Sequence, residues 1–230
     1  MKLAVMQPYL FPYLAYFQLI YAVDKFIFYD DVNYIKGGWI NRNNILVKGE
    51  KKLLTLNLIG ASSNKLIKDI EIGQNRQKLL KTIQQSYTKA PFYNKIFPMI
   101  ESILCHNTNF ISELAIHSVI KVCEFLGIDC EFETSSLMYG DTAGMEKTER
   151  LKKICRLNGA AVYVNPIGGQ NLYNKHDFMH KGIDLFFLKS SFPVYTQFDT
   201  GFIPGLSIID ILMFNKRKEI INMLEKYKLV

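Results

Sequence analysis

Lys2-Leu3-Ala4-Val5-Met6-Gln7-Pro8 and Lys25-Phe26-Ile27-Phe28-Tyr29-Asp30-Asp31 decide the fold of this chain. Each is a short apolar run stopped abruptly by polar or turn-forming residues, as when a buried strand reaches the edge of a sheet. Between them, Pro12 suits the first position of a helix, where its missing N–H costs nothing. Tyr13, Tyr16, Phe17, Ile20 and Tyr21 then recur at helical spacing. Strand, helix and strand inside the first 31 residues read as a βαβ unit, hence a parallel pair.

Downstream, Asn33 to Asn44 is polar, contains Gly37 and Gly38, and reads as a loop or ragged hairpin. Ile45–Val47 and Leu53–Leu58 look like strands turning at Gly49-Glu50, with Leu66–Ile72 as another. The helical periodicity of Gln74 to Leu126 breaks near Ala90-Pro91 and near His106–Asn109, predicting about three helices. Strands follow at Cys130–Phe132, at Ala161–Val164 ending in Asn165-Pro166, and at Ile183–Leu188. Helices are expected at Glu146–Leu157, Gln170–Lys181, Leu206–Phe214 and Arg217–Tyr227. No repeat or low-complexity linker divides the chain. Residues 1–230 therefore read as one α/β domain, a Rossmann-like, mostly parallel sheet with a helical insertion or lobe at residues 74–127.

Composition excludes several classes. Hydrophobic residues make up 49% and charged residues 21% of 230 positions, which is globular and not disordered. No apolar run reaches the roughly 18 residues that cross a bilayer; the longest, Leu10 to Val23, is broken by Pro12 and Gln18. The start lacks a signal-peptide pattern, because Gln7-Pro8 interrupts its apolar stretch. Cys105, Cys123, Cys130 and Cys155 show no CxxC or CxxH spacing, so neither a zinc site nor a disulfide framework is expected. Free thiols in apolar segments suit a reducing compartment, and the expectation is a cytoplasmic protein without a membrane partner. The net charge of +7 is spread over Lys51-Lys52, Lys152-Lys153, Lys175, Lys181 and Lys216-Arg217. A nucleic-acid binder gathers such charge on one stripe, so none is expected here. The basic surface would still draw an anionic small molecule.

Ligands of parallel α/β sheets bind beyond the carboxyl ends of the strands. Gln7, Pro8 and Tyr9 follow the first strand, with Tyr13 at the start of the helix. Asp30, Asp31 and Tyr34, then Lys36, Trp39, Asn41 and Arg42, follow the second. Asn165, Gly168, Gly169 and Tyr173 follow a later one. If these strands are neighbours, the groups converge. Adjacent carboxylates repel unless neutralised, so Asp30-Asp31 reads as a general base, metal contact or hydroxyl acceptor. The plainer reading has one cap a turn while the other pairs with Arg42 or a lysine. Arg42 offers a bidentate fork for phosphate, and Trp39 reads as the buried residue pinning its loop. Gly168-Gly169 would let backbone N–H groups approach an anion, although a Gly-Gly turn is more often plain turn geometry. Neither GxGxxG nor GK[ST] is present. His176 and His180 are four apart on an expected helix, more consistent with a solvated face than with a metal site. Cys155 reads as core filler. Tyr195 and Gln197, two apart, would face the same way in an extended segment.

Gln7-Pro8-Tyr9-Leu10-Phe11-Pro12-Tyr13-Leu14-Ala15-Tyr16-Phe17 resembles the QPxxxPxxGxF opening of the WbqC-like proteins. Asp24 to Val32 is similar to that family's second strand, and Lys36 through Trp39 to Asn41-Arg42-Asn43 to its KxxWxNRN segment. Tyr87 to Phe92, Lys147-Thr148-Glu149-Arg150-Leu151 and Ser207 to Leu212 resemble later blocks. The chain departs from the pattern at Ala15, where glycine is common, and at Asn165-Pro166 and Gln84-Gln85.

The resemblance implies a role in bacterial O-antigen or other surface-polysaccharide pathways, with acyl or glycyl transfer to an amino sugar. On that reading Arg42 and Gly168-Gly169 bind the phosphates of a nucleotide sugar, and Asp30 or Asp31 orients or deprotonates its amine. Gln7 and Asn41 position the donor carbonyl or sugar hydroxyls. Tyr9, Tyr13, Tyr34, Lys36, Trp39, Asn165, Tyr173, Tyr195 and Gln197 complete the expected binding set. No tightly bound cofactor or metal is expected; the donor would be a carrier-protein or coenzyme A thioester. Two other readings stay open: an ATP-dependent carboxylate-activating enzyme, and a pathway protein that binds the same ligand without turnover.

Overall fold

The computed structural model describes residues 1–198 and 201–230. Strand β1 (Lys2–Met6), helix α1 (Leu14–Tyr21) and strand β2 (Lys25–Phe28) form the expected βαβ unit. Next come the hairpin β3 (Arg42–Val47) and β4 (Glu50–Thr55), then the short pair β5 (Leu58–Ile59) and β6 (Glu71–Ile72). Helices α2 (Arg76–Tyr87), α3 (Tyr93–Leu104) and α4 (Ile111–Leu126) make up the insertion. The chain returns to the sheet at β7 (Glu131–Thr134), followed by α5 (Ser135–Met138) and α6 (Lys147–Leu157). It closes with β8 (Val162–Pro166), α7 (Lys175–Met179), β9 (Asp184–Ser190), α8 (Ile208–Phe214), α9 (Arg217–Leu224) and β10 (Tyr227–Leu229).

The central sheet runs β10-β9-β8-β1-β2-β7, with every neighbouring pair parallel except antiparallel β10–β9. Because β1 lies inside the sheet, β2 and β7 extend it to one side and β8, β9 and β10 to the other. Alternation sorts the strand side chains onto two faces. Ala4, Phe26, Phe28, Val164 and Leu188 join a core shared with α1, α2 to α4, α8 and α9. Leu3, Val5, Ile27, Tyr163 and Phe187 join a smaller one under α6 and α7, with Leu151, Ile154 and Phe178. Both faces are therefore covered, as parallel sheets require. All four residues of β2 are buried, which explains its unbroken apolar run after Lys25. Cys155 is buried in the second core, as expected of a filler, and burial pushes its thiol up to about 12.

Several boundaries differ from the sequence reading. Leu66–Ile72 is a turn of 3-10 helix (Ile67–Asp69) leading to the two-residue β6, not a full strand. The helix expected over Gln170–Lys181 is confined to Lys175–Met179, because Asn174 caps it by accepting from the His176 N–H at 2.9 Å. The last helix stops at Leu224, and Tyr227–Leu229 pairs with β9 as an edge strand. That edge is held by Gln18 on α1, whose Nε2 donates to the carbonyls of Met223 (2.8 Å) and Lys226 (3.0 Å). The Gln18 Oε1 is the one sealed side-chain polar atom without a partner among the described residues. Gln18→Leu removes both bonds, leaving each carbonyl only its main-chain donor (the Lys226 N–H to Met223 at 3.2 Å, the Ser191 N–H to Lys226 at 3.0 Å), and is expected to cost about 1–3 kcal/mol in chemical denaturation. Amide exchange at Tyr227 and Val230 should accelerate with it; unchanged protection there would show that Gln18 does not hold the edge.

Candidate active site

The crossover from β1 runs to β2 and the crossover from β8 runs to β9, in opposite directions, which leaves a crevice at the carboxyl edge between β1 and β8, where doubly wound folds bind ligands. The loop after β1 forms its floor and is fixed from distant parts of the chain. Phe11 holds a left-handed backbone (φ 44°) that non-glycine residues rarely adopt. Its N–H donates to the Ser118 hydroxyl (3.2 Å), while its carbonyl accepts from Asn43 Nδ2 (2.9 Å) and the Ser207 hydroxyl (2.7 Å). Such over-determination is what keeps a strained backbone in place.

Register places the crevice residues. Met6 lies beside Phe28, so Gln7 comes beside Tyr29, whose N–H donates to the Met6 carbonyl at 2.8 Å. Leu3 lies beside Tyr163, which brings Asn165 level with Val5. By alternation Gln7, Tyr29, Asp31 and Asn165 all fall on the sheet face covered by α6 and α7. Only the main-chain carbonyl of Gln7 is engaged, by the Tyr16 hydroxyl at 2.8 Å. The side-chain amides of Gln7 and Asn165 have no hydrogen-bond partner among the described residues. Neither amide is sealed from solvent, so both are presented to the crevice. Tyr29 and Tyr173 pack half-buried against the second core beside them.

Asp31 and Arg150 form an ion pair at 2.6 Å, with side chains 5% and 4% exposed. The Ser135 hydroxyl lies 2.5 Å from the other Asp31 oxygen. Arg150 donates through Nε to the Thr142 hydroxyl (2.8 Å) and sits 4.7 Å above the Tyr29 ring. Burial pushes the Tyr29 hydroxyl up, and the neighbouring guanidinium opposes that shift. Asp30 is buried: its oxygens accept from the Ser136 N–H (3.0 Å) and the Ser136 hydroxyl (2.7 Å), with the Ser135 hydroxyl 3.1 Å away. The Asp30-Asp31 pair thus ties the end of β2 to the start of α5, with Arg150 supplying the neutralising charge.

A second network lies under α8. Asp210 is fully buried and accepts from the hydroxyls of Tyr87 (2.9 Å) and Tyr195 (2.6 Å) and from Gln197 Nε2 (2.8 Å). The Tyr87 hydroxyl in turn accepts the Leu46 N–H at 3.0 Å. Hairpin, insertion, α8 and the segment after β9 are thereby joined through one carboxylate.

The sequence model of the WbqC-like protein family matches residues 7–222. This chain belongs to the WbqC-like protein family. It is 29% identical over 217 residues to the uncharacterized protein Rv1507c of Mycobacterium tuberculosis, covering 92% of each chain. No solved structure matches it.

Within this WbqC-like chain the expected site residues divide into groups. Gln7, Asp31, Asn165, Gly169 and Tyr173 gather at the crevice. At Gly169 a Cβ would lie 1.8 Å from Asn165 Nδ2, so any side chain there would displace the Asn165 amide, whereas Gly168 faces open space. Tyr9 and Tyr13 are half-buried in the loop after β1; the Tyr9 ring is 5.5 Å from Tyr16, and burial pushes its hydroxyl up to about 12. Arg42 does not pair with Asp31. Its Nε donates to the Gly38 carbonyl (2.8 Å) and its Nη2 to that of Gly37, so the fork expected to hold phosphate closes its own loop. Tyr34 and Asn41 bond each other at 3.0 Å, and Asn41 Nδ2 donates to the Leu56 carbonyl at 2.7 Å. Trp39 is 42% exposed and does not pin that loop from inside; Lys36 is exposed as well. Tyr195 and Gln197 do share a side, but they face Asp210. Asp30 is buried beneath Asp31, with its oxygens turned to Ser135 and Ser136. His176 and His180 are exposed, the His106 and His117 rings stack at 3.9 Å, and no metal-binding cluster occurs among the described residues.

The residues that sequence reasoning missed are Arg150, Tyr29, Ser135 and Thr142. Arg150 did carry a signal, an arginine four positions before Ile154 on the apolar face of α6. Arg150→Ala strands the Asp31 carboxylate and is expected to destabilise by about 3–5 kcal/mol, against less than about 1 kcal/mol for Arg42→Ala in its half-exposed loop. Equal denaturation midpoints for the two variants would refute this ranking. For Asp210, burial raises the carboxyl above its ordinary 3.8, although its three donors oppose the rise. Its folded form keeps a proton that the unfolded chain has released, so its contribution is complete below about pH 4 and fades as pH rises through the folded value. The stability gap between wild type and Asp210→Asn should therefore be widest in acid and narrow toward neutrality; a constant gap would contradict the raised value.

Proposed function

We propose that this WbqC-like protein is a transferase of bacterial surface-polysaccharide biosynthesis that places an acyl or aminoacyl group on the amine of a nucleotide-linked amino sugar. The observation that supports this most is the pair of partnerless amides, Gln7 and Asn165, facing a crevice that also presents Tyr29 and Tyr173. Neutral hydrogen-bonding groups beside aromatic faces suit a sugar's hydroxyls and ring better than they suit a metal or a bare phosphate.

In this reading the neutral amine attacks the thioester carbonyl. The new C–N bond forms, the C–S bond breaks, and the proton lost by nitrogen is balanced by the one taken up by the leaving thiol. Asp31, held in place by Arg150 and the Ser135 hydroxyl, orients the amine through a remaining lone pair. Gln7 and Asn165 hold the sugar hydroxyls or the donor carbonyl. The partners are the nucleotide sugar and a carrier-protein or coenzyme A thioester, in the cytoplasm, where sugar nucleotides are made.

Calorimetric titration with UDP- and dTDP-amino sugars tests this. Wild type is expected to bind, with Asn165→Ala weakening the complex about tenfold, the equivalent of one hydrogen bond. Arg42→Ala should bind like wild type. Product mass spectrometry with an acyl thioester should then show one new amide. Binding of ATP alone, with no response to either sugar nucleotide, would replace this reading with a carboxylate-activating one.

A further inference from the structure

Asn165 stands near the end of β8 with its backbone fixed and its side chain free to turn. Pro166 follows it and holds its backbone extended, and its main chain lies beside Phe187 of β9. The residue is 7% exposed, and its amide has no hydrogen-bond partner among the described residues. An asparagine amide turns through a broad χ2 range, so packing alone must set where this one points. That packing comes from Gly169. A Cβ there would overlap the Asn165 amide nitrogen, lie 3.1 Å from its Cγ and meet the Tyr173 ring at 3.4 Å. The carboxamide therefore lies across the bare α-carbon of Gly169, with the Tyr173 ring closing one side.

Glycine is often kept for its backbone, and here it is not. Gly169 does not hold the left-handed φ of Gly127, Gly159 and Gly182, so alanine would suit this backbone and only the space over the α-carbon is at stake. The turn beneath is fixed by its own main chain. The Gln170 N–H donates to the Ile167 carbonyl (3.1 Å) and the Leu172 N–H to the Gly169 carbonyl (2.9 Å). Gly168, its neighbour, is exposed, and a Cβ there meets nothing within 4 Å. We propose that Gly169 is a positioning residue of the crevice: its missing side chain lets the Asn165 amide lie back against the turn, which sets the amide's direction and leaves room for the sugar it meets. Any side chain at position 169 pushes the amide off the turn and toward the crevice it lines. The fold tolerates this, because the displaced group is the end of a rotatable side chain. The proposal rests on the nucleotide-sugar reading and names the residue that sets its binding geometry.

The test compares the full wild-type chain with Gly168→Ala, Gly169→Ala, Asn165→Ala and the double variant Asn165→Ala, Gly169→Ala. All are expected to melt like wild type, since alanine at either glycine suits the backbone already there. In the NMR spectrum of nitrogen-labelled protein, the Asn165 amide is the pair of side-chain signals that Asn165→Ala removes. That pair should move in Gly169→Ala and stay in place in Gly168→Ala. An unmoved pair in Gly169→Ala overturns the proposal before any ligand is added. In calorimetry with UDP- and dTDP-amino sugars, Gly169→Ala should bind about tenfold more weakly than wild type, the loss expected of Asn165→Ala itself. Gly168→Ala should bind like wild type. Because the effect runs through Asn165, the double variant should bind no more weakly than Asn165→Ala alone. Losses that multiply in the double variant overturn the proposal, as does an amide pair that moves while sugar affinity holds. If wild type binds neither nucleotide sugar, the transferase reading falls, and the amide signals alone decide whether Gly169 positions Asn165.

Discussion

The position of β1 inside a parallel sheet is the constraint from which the rest follows. The chain leaves β1 toward β2 and leaves its other neighbour, β8, in the opposite direction toward β9, and a parallel strand needs helices on both faces to satisfy its apolar side chains. Those helices diverge at the carboxyl edge of β1, leaving a gap that no element fills. The loop after β1 must line that gap without collapsing into it. The bonds to the Phe11 N–H and carbonyl from the insertion, the hairpin and the start of α8 do this work. The 74–127 segment is thus less an appended lobe than a buttress, sharing one continuous apolar core with the face of the sheet it covers.

Charge inside this molecule is spent on holding elements together. Asp30, Asp31 and Arg150 join β2, α5 and α6, while Asp210 joins four segments through two tyrosines and a glutamine. Removing water from a carboxylate is costly unless its lone pairs are met, and both sites meet them. The acidic residues that looked most reactive thus also hold the fold together, while the side-chain amides of Gln7 and Asn165 have no partner among the described residues.

Gln7, Asn165, Tyr29 and Tyr173 stand at or just beyond strand ends, where side chains can vary without disturbing the sheet that places them.

The first thirty-one residues alone determined the parallel βαβ start, because short apolar runs ending in Gln7-Pro8 and Asp30-Asp31 admit few other packings. Periodicity likewise determined the helices of the insertion, and strand-end position singled out Gln7, Asp31, Asn165 and Tyr173. What the sequence could not decide was partnership. Arg42 and Arg150 are the same residue type, but only the fold puts one against glycine carbonyls and the other against Asp31. Tyr195 and Gln197 look like ligand contacts until Asp210 is found between them. Local spacing records which way a side chain points relative to its own neighbours. Which charge it meets, and whether water reaches it, depends on strand order and crossover direction, which tertiary packing alone decides.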